Sequence, residues 1–210
     1  MRITKTLFIS AVLLMSATGL QAAGFIQKGN YLTVQMKEHQ NYGPSQIRLQ
    51  VVNDQIIRVQ ATAEQSFRNK QSLIIVPQNS KANYKVEEQG DKLIITTAAM
   101  RAVLNEATGQ ITFYDLKDNV LLNEVAQGGK TFKPFTVPDR EIGVDIAKVP
   151  EAQKHGWSWR ALFDSPDNEA FYGLGQHQSE ELNMKGKNED LFQYNTKVSV
   201  PFVISNKNYG

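Results

Sequence analysis

From residue 31 onward the apolar positions recur every second residue. Ile47, Leu49 and Val51 alternate with Arg48 and Gln50, and Ile57, Val59 and Ala61 alternate with Arg58 and Gln60. A period of two lines one face of a strand. The Asn53-Asp54 turn between the runs predicts a β-hairpin with one buried face. The pattern then repeats. Leu73–Val76 stops at Pro77, and Tyr84–Glu88 turns at Gly90-Asp91 into Leu93–Thr97. Met100–Leu104 passes through Asn105–Gly109 into Ile111–Leu116, and Asp118-Asn119 turns into Val120–Leu122. Short strands with turn signals about every 8–12 residues predict an all-β sandwich of antiparallel sheets. Only Glu151–His155 and Ser179–Met184 read as helix-like, and weakly. The stretch from Val125 to Arg140, with Gly128-Gly129, Pro134 and Pro138, predicts an irregular crossing or long loop.

The first 22 residues carry a different signal. Arg2 and Lys5 precede an apolar run from Leu7 to Leu20, followed by Gln21-Ala22-Ala23. As a helix this run is about 21 Å long, short of the roughly 30 Å hydrocarbon core. A basic start, a short apolar run and small residues at its end predict a cleaved secretory signal over 1–22 and a mature domain over 23–210. The expected location is periplasmic or secreted, with no membrane span after cleavage. The formal charge of +2 comes from this segment alone, since without Arg2 and Lys5 the basic residues equal the 21 acidic ones. A balanced domain gives no electrostatic footprint for nucleic acid. With no cysteine, disulfides, zinc fingers and thiol nucleophiles are excluded.

From about residue 155 aromatics concentrate: Trp157, Trp159, Phe163, Phe171, Tyr172, Phe192 and Tyr194. They suit either a core layer closing the sandwich or a sugar-binding surface, where rings stack on C–H faces and amides match hydroxyls. The three histidines, His39, His155 and His177, are not at metal-ligand spacing. His177 stands between Gln176 and Gln178 just after Gly173-Leu174-Gly175, where glycines permit sharp turns. That Gly-x-Gly lacks the third glycine of a dinucleotide fingerprint. Glu180-Glu181 and Glu189-Asp190 lie among lysines and read as solvated surface rather than as an acid/base pair. No Gly-x-Ser-x-Gly elbow occurs.

The ordered set Phe171-Tyr172-Gly173-Leu174-Gly175-Gln176, Lys185-Gly186, Tyr194-Asn195-Thr196, Val200-Pro201-Phe202, Ser205 and Tyr209-Gly210 resembles the N-terminal domain of glycoside hydrolase family 31. The Gly-Leu-Gly-Gln-His-Gln variant is most similar to the α-xylosidase branch. This resemblance implies a galactose-mutarotase-like β-sandwich that packs on a (β/α)₈ barrel of the same polypeptide. It implies a retaining exo-acting α-glycosidase acting on terminal α-linked sugars of oligosaccharides, xyloglucan fragments among them, with no cofactor and no metal. The family's nucleophile signature, Trp-x-Asp-x-Asn/Met-Glu, is absent here, and a barrel needs roughly 200–250 further residues. The expectation is therefore an N-terminal domain, incomplete at its C-terminal end, whose catalytic residues lie downstream. Pro201–Ser205 is expected as a strand, and Asn206–Gly210 as a turn toward a partner strand that is absent. Thr196 after Asn195, and Gln176 where glutamate is common, depart from the α-glucosidase pattern. The implied contribution of this domain to the substrate-pocket rim is Gln176, His177 and Asn183. A free-standing carbohydrate-binding module is the second reading, and a mutarotase-like epimerase using His177 the third.

Overall fold

The computed structural model describes residues 24–36, 42–68, 76, 82–127, 129–137, 145–177 and 181–210. The expected signal segment, His39, the strand at 73–75 and Glu180 lie outside these residues. The chain runs first through β1 (Phe25–Lys28), β2 (Tyr31–Gln35), β3 (Gln46–Asn53) and β4 (Ile56–Thr62). These form a four-stranded antiparallel sheet in the order β1-β2-β3-β4. A second, five-stranded sheet follows in chain order: β5 (Lys85–Gln89), β6 (Lys92–Thr96), β7 (Arg101–Asn105), β8 (Ile111–Tyr114) and β9 (Val120–Asn123). The hairpins stand where the alternating pattern put them. In the first, Ile47 faces Ala61, Leu49 faces Val59 and Val51 faces Ile57.

The two sheets meet through one set of alternating side chains. Leu32, Val34, Ile47, Leu49 and Val51 of the first sheet join Leu93, Ile95, Leu104 and Ile111 of the second in one buried cluster. Each fully buried Leu, Ile or Val contributes about 1.5–3 kcal/mol relative to exposure. Burial is greatest on the central strands; Ile57, Val59 and Ala61 of edge strand β4 are only partly covered. Polar ties close the rim of the sandwich. Thr97 Oγ1 donates to the Asp54 carbonyl at 2.7 Å, joining the β3–β4 turn to the end of β6. Tyr84 Oη donates to the Gly29 carbonyl at 3.1 Å.

The segment expected as an irregular crossing contains a strand. β10 (Lys130–Thr136) pairs along its whole length with β11 (His155–Ala161). Pro134 is accommodated because this is a two-stranded ribbon, in which one edge needs no backbone donor. Glu151–Lys154 forms a single helical turn, α1, before β11. β12 (Phe171–Gln176) pairs antiparallel with β13 (Val198–Ser205), which begins earlier than Pro201. Residues 181–184 of the second helix candidate are not helical; Met184 N donates to the Phe171 carbonyl of β12 instead. The aromatics after residue 155 do not close the core. Trp157, Trp159, Phe163, Tyr172, Phe192 and Tyr194 all remain exposed, and Phe192 and Tyr194 stack at 6.0 Å. Among the described residues no helix is long and apolar enough to cross a membrane.

Candidate functional site

The Gly-Leu-Gly segment of β12 lies opposite a bulge in β13. Gly173, Leu174 and Gly175 have φ of 119°, 65° and 102° in succession. The register slips between Gly173, opposite Val203, and Gly175, opposite Ser199. Both glycines are required sterically. A Cβ on Gly173 would lie 2.5 Å from the Phe202 carbonyl oxygen, and one on Gly175 would overlap the Val198 carbonyl and lie 2.9 Å from Val200 N. Three left-handed residues turn the Leu174 carbonyl toward the loop that follows, where it accepts a hydrogen bond from His177 Nε2 at 2.7 Å. A carbonyl can only accept, so that ring nitrogen carries the proton.

Residues 177–197 connect β12 to β13, and their neck is closed by a charged cluster. Glu189 Oε1 lies 2.5 Å from Lys197 Nζ and 2.8 Å from His177 Nδ1, the latter without hydrogen-bond alignment. Lys197 also donates to the Asp190 carbonyl at 2.8 Å. The hydrogen bond from Lys197 holds the Glu189 carboxyl below the usual range against its partial burial, and the charges of His177 and Lys197 add to it. The same bond raises Lys197. Glu189 is thus turned inward, its side chain 17% exposed, and not the solvated acid its sequence neighbourhood suggested. A partner eight residues away, delivered by the return of the chain, is what sequence spacing did not reveal. Glu181 does behave as a surface acid, half exposed against Lys187.

The three residues singled out by sequence take different places. His177 is at the neck of the loop with a side chain 7% exposed. Gln176 is exposed at the end of β12. Asn183 binds backbone: its Oδ1 accepts from Phe171 N at 3.0 Å and Lys185 N at 3.1 Å, while Met184 N donates to the Phe171 carbonyl at 2.8 Å. It therefore ties the first part of the loop to the start of β12.

At the other end of the ribbon lies Glu169, which sequence reading passed over. It is 2% exposed, and its Oε1 accepts 2.5 Å hydrogen bonds from Ser205 Oγ and Tyr209 Oη, with Lys207 Nζ 3.4 Å from Oε2. Burial pushes this carboxyl up, but the two hydroxyl donors and Lys207 outweigh it and hold it below the usual range. Burial and the bond to Glu169 push the Tyr209 phenol up to about 12. Residues 206–208 form the turn expected there: Tyr209 returns to bridge Ser205 antiparallel, and Asn206 exchanges bonds with Ala170. A second buried carboxylate, Glu124, accepts from Ile111 N at 2.8 Å and pairs with Lys130, whose ammonium is lowered by burial despite that pairing.

Each of these carboxylates accepts hydrogen bonds from groups within the domain, as buried polar groups generally do. Thr136, His155 and Glu151 do line up, at 3.2 and 3.0 Å, but on an exposed surface. Among the described residues no group of three His, Asp or Glu could hold a metal.

A two-sheet antiparallel sandwich followed by two-stranded ribbons defines an all-β sandwich domain. The sequence profile described as the glycosyl hydrolase 31 N-terminal galactose mutarotase-like domain matches residues 46–210. The chain belongs to this family. Among solved structures it is similar to a GH31 α-xylosidase from Xanthomonas citri, at 35% identity and a TM-score of 0.72 over 87% of this chain and 18% of that one. A GH31 α-xylosidase from a soil metagenome, complexed with xylose, is 25% identical with a TM-score of 0.63, over 87% of this chain and 26% of that one. A protein described as an uncharacterised family 31 glucosidase from Pseudescherichia vulneris is 26% identical over 78% of this chain and 32% of its own length. The chain thus spans a third or less of the length of these relatives.

Proposed function

We propose that this chain is the N-terminal domain of an exported, retaining α-glycosidase of the α-xylosidase type, over residues 23–210 after removal of 1–22. The observation that carries the reading is the 35% identity to an α-xylosidase across 87% of the chain. In this proposal a barrel of the same polypeptide supplies both carboxylates. One attacks the anomeric carbon, and the other protonates the leaving oxygen and later deprotonates water. The sandwich supplies the loop after β12 to the rim of the sugar pocket. Gln176 offers its amide at the mouth of that loop, His177 and Glu189 hold the neck, and Asn183 fastens the first part. The substrate is a terminal α-linked xylosyl residue of an oligosaccharide, with xyloglucan fragments as the natural source.

The test is hydrolysis of an aryl α-xyloside by the 210-residue chain and by a version extended through a barrel. Turnover by the extended protein alone is expected, and turnover by the short chain sinks the proposal. N-terminal sequencing of the product exported from a bacterial host checks the leader: a start after Ala22 or Ala23 is expected, and a start at Met1 refutes it.

A further inference from the structure

A cleft of about 390 Å³ opens between edge strand β4 and the β10–β11 ribbon, away from the loop after β12. Its walls are aromatic: Phe67, Phe132, Trp159 and Phe163. Trp159 and Phe132 face one another across the ribbon register, yet Trp159 leaves 66% of its surface in water. Charged and amide groups line the same space. Lys130 and Glu124 form a pair whose side chains are 9% and 5% exposed. Lys130 Nζ spends one N–H on Glu124 and one on the Gly109 carbonyl at 3.1 Å. An ammonium has three donors, so one is left over. Gln60, also in the lining, has its Oε1 taken by Arg48 at 2.8 and 3.1 Å, which leaves its amide to act as a donor. Arg48 in turn stacks on Phe67 at 4.2 Å and so holds that wall in place.

We infer that this cleft is a saccharide-binding site, taking one end of a neutral oligosaccharide. A sugar ring presents an apolar C–H face to an aromatic plane and hydroxyls at its edge. The lining offers both: Trp159 for the face, and Lys130 with Gln60 as donors to hydroxyl oxygens. A purely apolar ligand would leave the leftover ammonium donor without a partner, at a desolvation cost. An anion would gain Lys130 but meet Glu124 beside it. The assignment stands on the cleft's own chemistry and does not depend on the glycosidase reading.

The experiment is a calorimetric and NMR titration of the 210-residue chain with D-xylose, maltose and a xyloglucan heptasaccharide. Saturable binding of at least one, on the order of millimolar, with shifts at the Trp159 indole and not at Trp157, is expected. Trp159→Ala should weaken it about tenfold or more, and Gln60→Ala should weaken it to a smaller extent. Trp157→Ala should leave it within about twofold, because Trp157 does not line the cleft. Absence of saturable binding to all three sugars overturns the inference, as does unchanged binding by a folded Trp159→Ala protein. Failure here leaves hydrolysis by an extended protein untouched, and failure of that hydrolysis leaves this binding untouched.

Discussion

Gly175 of β12 and Val198 of β13 approach so closely that a single Cβ on the glycine would overlap the Val198 carbonyl oxygen. The bulge depends on that approach: it shortens β12 relative to β13 and aims the Leu174 carbonyl at His177. Gly186, farther along the same loop, has a left-handed φ of 71° but open space around its Cα. The two positions separate backbone strain from steric overlap.

Gly186→Ala should cost about 1 kcal/mol, from strain alone. Gly175→Ala should cost about 3 kcal/mol or more, since strain and overlap combine. Urea unfolding of the two variants measures the difference, and equal costs would show that the bulge relaxes freely.

Glu189 gathers His177 and Lys197 at the neck of the loop. Glu189→Ala should speed amide exchange across residues 181–197 while β6 and β7 keep their protection, because the cluster joins loop to loop and touches no core strand. Hydrogen exchange read by mass spectrometry checks this. Loss of protection across the whole sandwich would contradict it.

Two titrations bound the stable pH range in opposite directions. Glu169 has a depressed folded pKa, so its contribution is complete above the unfolded value and is lost as pH falls through the folded one. Tyr209 has a raised folded pKa. Its contribution is complete below about 10 and is lost as pH rises toward about 12. Denaturant midpoints as a function of pH should therefore fall less steeply in acid for Glu169→Gln, and less steeply in base for Tyr209→Phe. A variant with the same slope as the parent would remove that residue from the account.

Glu124 and Lys130 form a buried pair, so removing one partner strands the other. Lys130→Met should cost about 3–5 kcal/mol. The double change Glu124→Gln with Lys130→Met should cost less than the single one, because glutamine can still accept from Ile111 N and no charge is left buried. Thermal unfolding of the parent, the single variants Lys130→Met and Glu124→Gln, and the double variant closes the cycle. A double change that costs as much as the sum of the singles would mean the pair is not coupled.

The alternation of Ile47, Leu49 and Val51, and of Leu93 and Ile95, was sufficient by itself to define strands, turns and the buried face, because a period of two and the turn residues are local properties of the chain. The Phe-Tyr-Gly-Leu-Gly-Gln run and the pieces after it likewise identified the family from order and spacing. Other features arose only where distant segments met. β10 was hidden by Pro134 within it and by Gly128-Gly129 and Pro138 around it, since strand pairing with β11 is a long-range contact that overrides weak local propensity. Glu189 looked solvated beside its neighbours until the chain returned with Lys197 and His177, and Glu169 had no visible role until Ser205 and Tyr209 arrived 36 and 40 residues later. The aromatics that sequence could assign to core or surface went to the surface, because the two sheets already fill the core with Leu, Ile and Val. Periodicity determines which face of a strand is apolar, whereas the partner of a buried charge is set by the path of the whole chain.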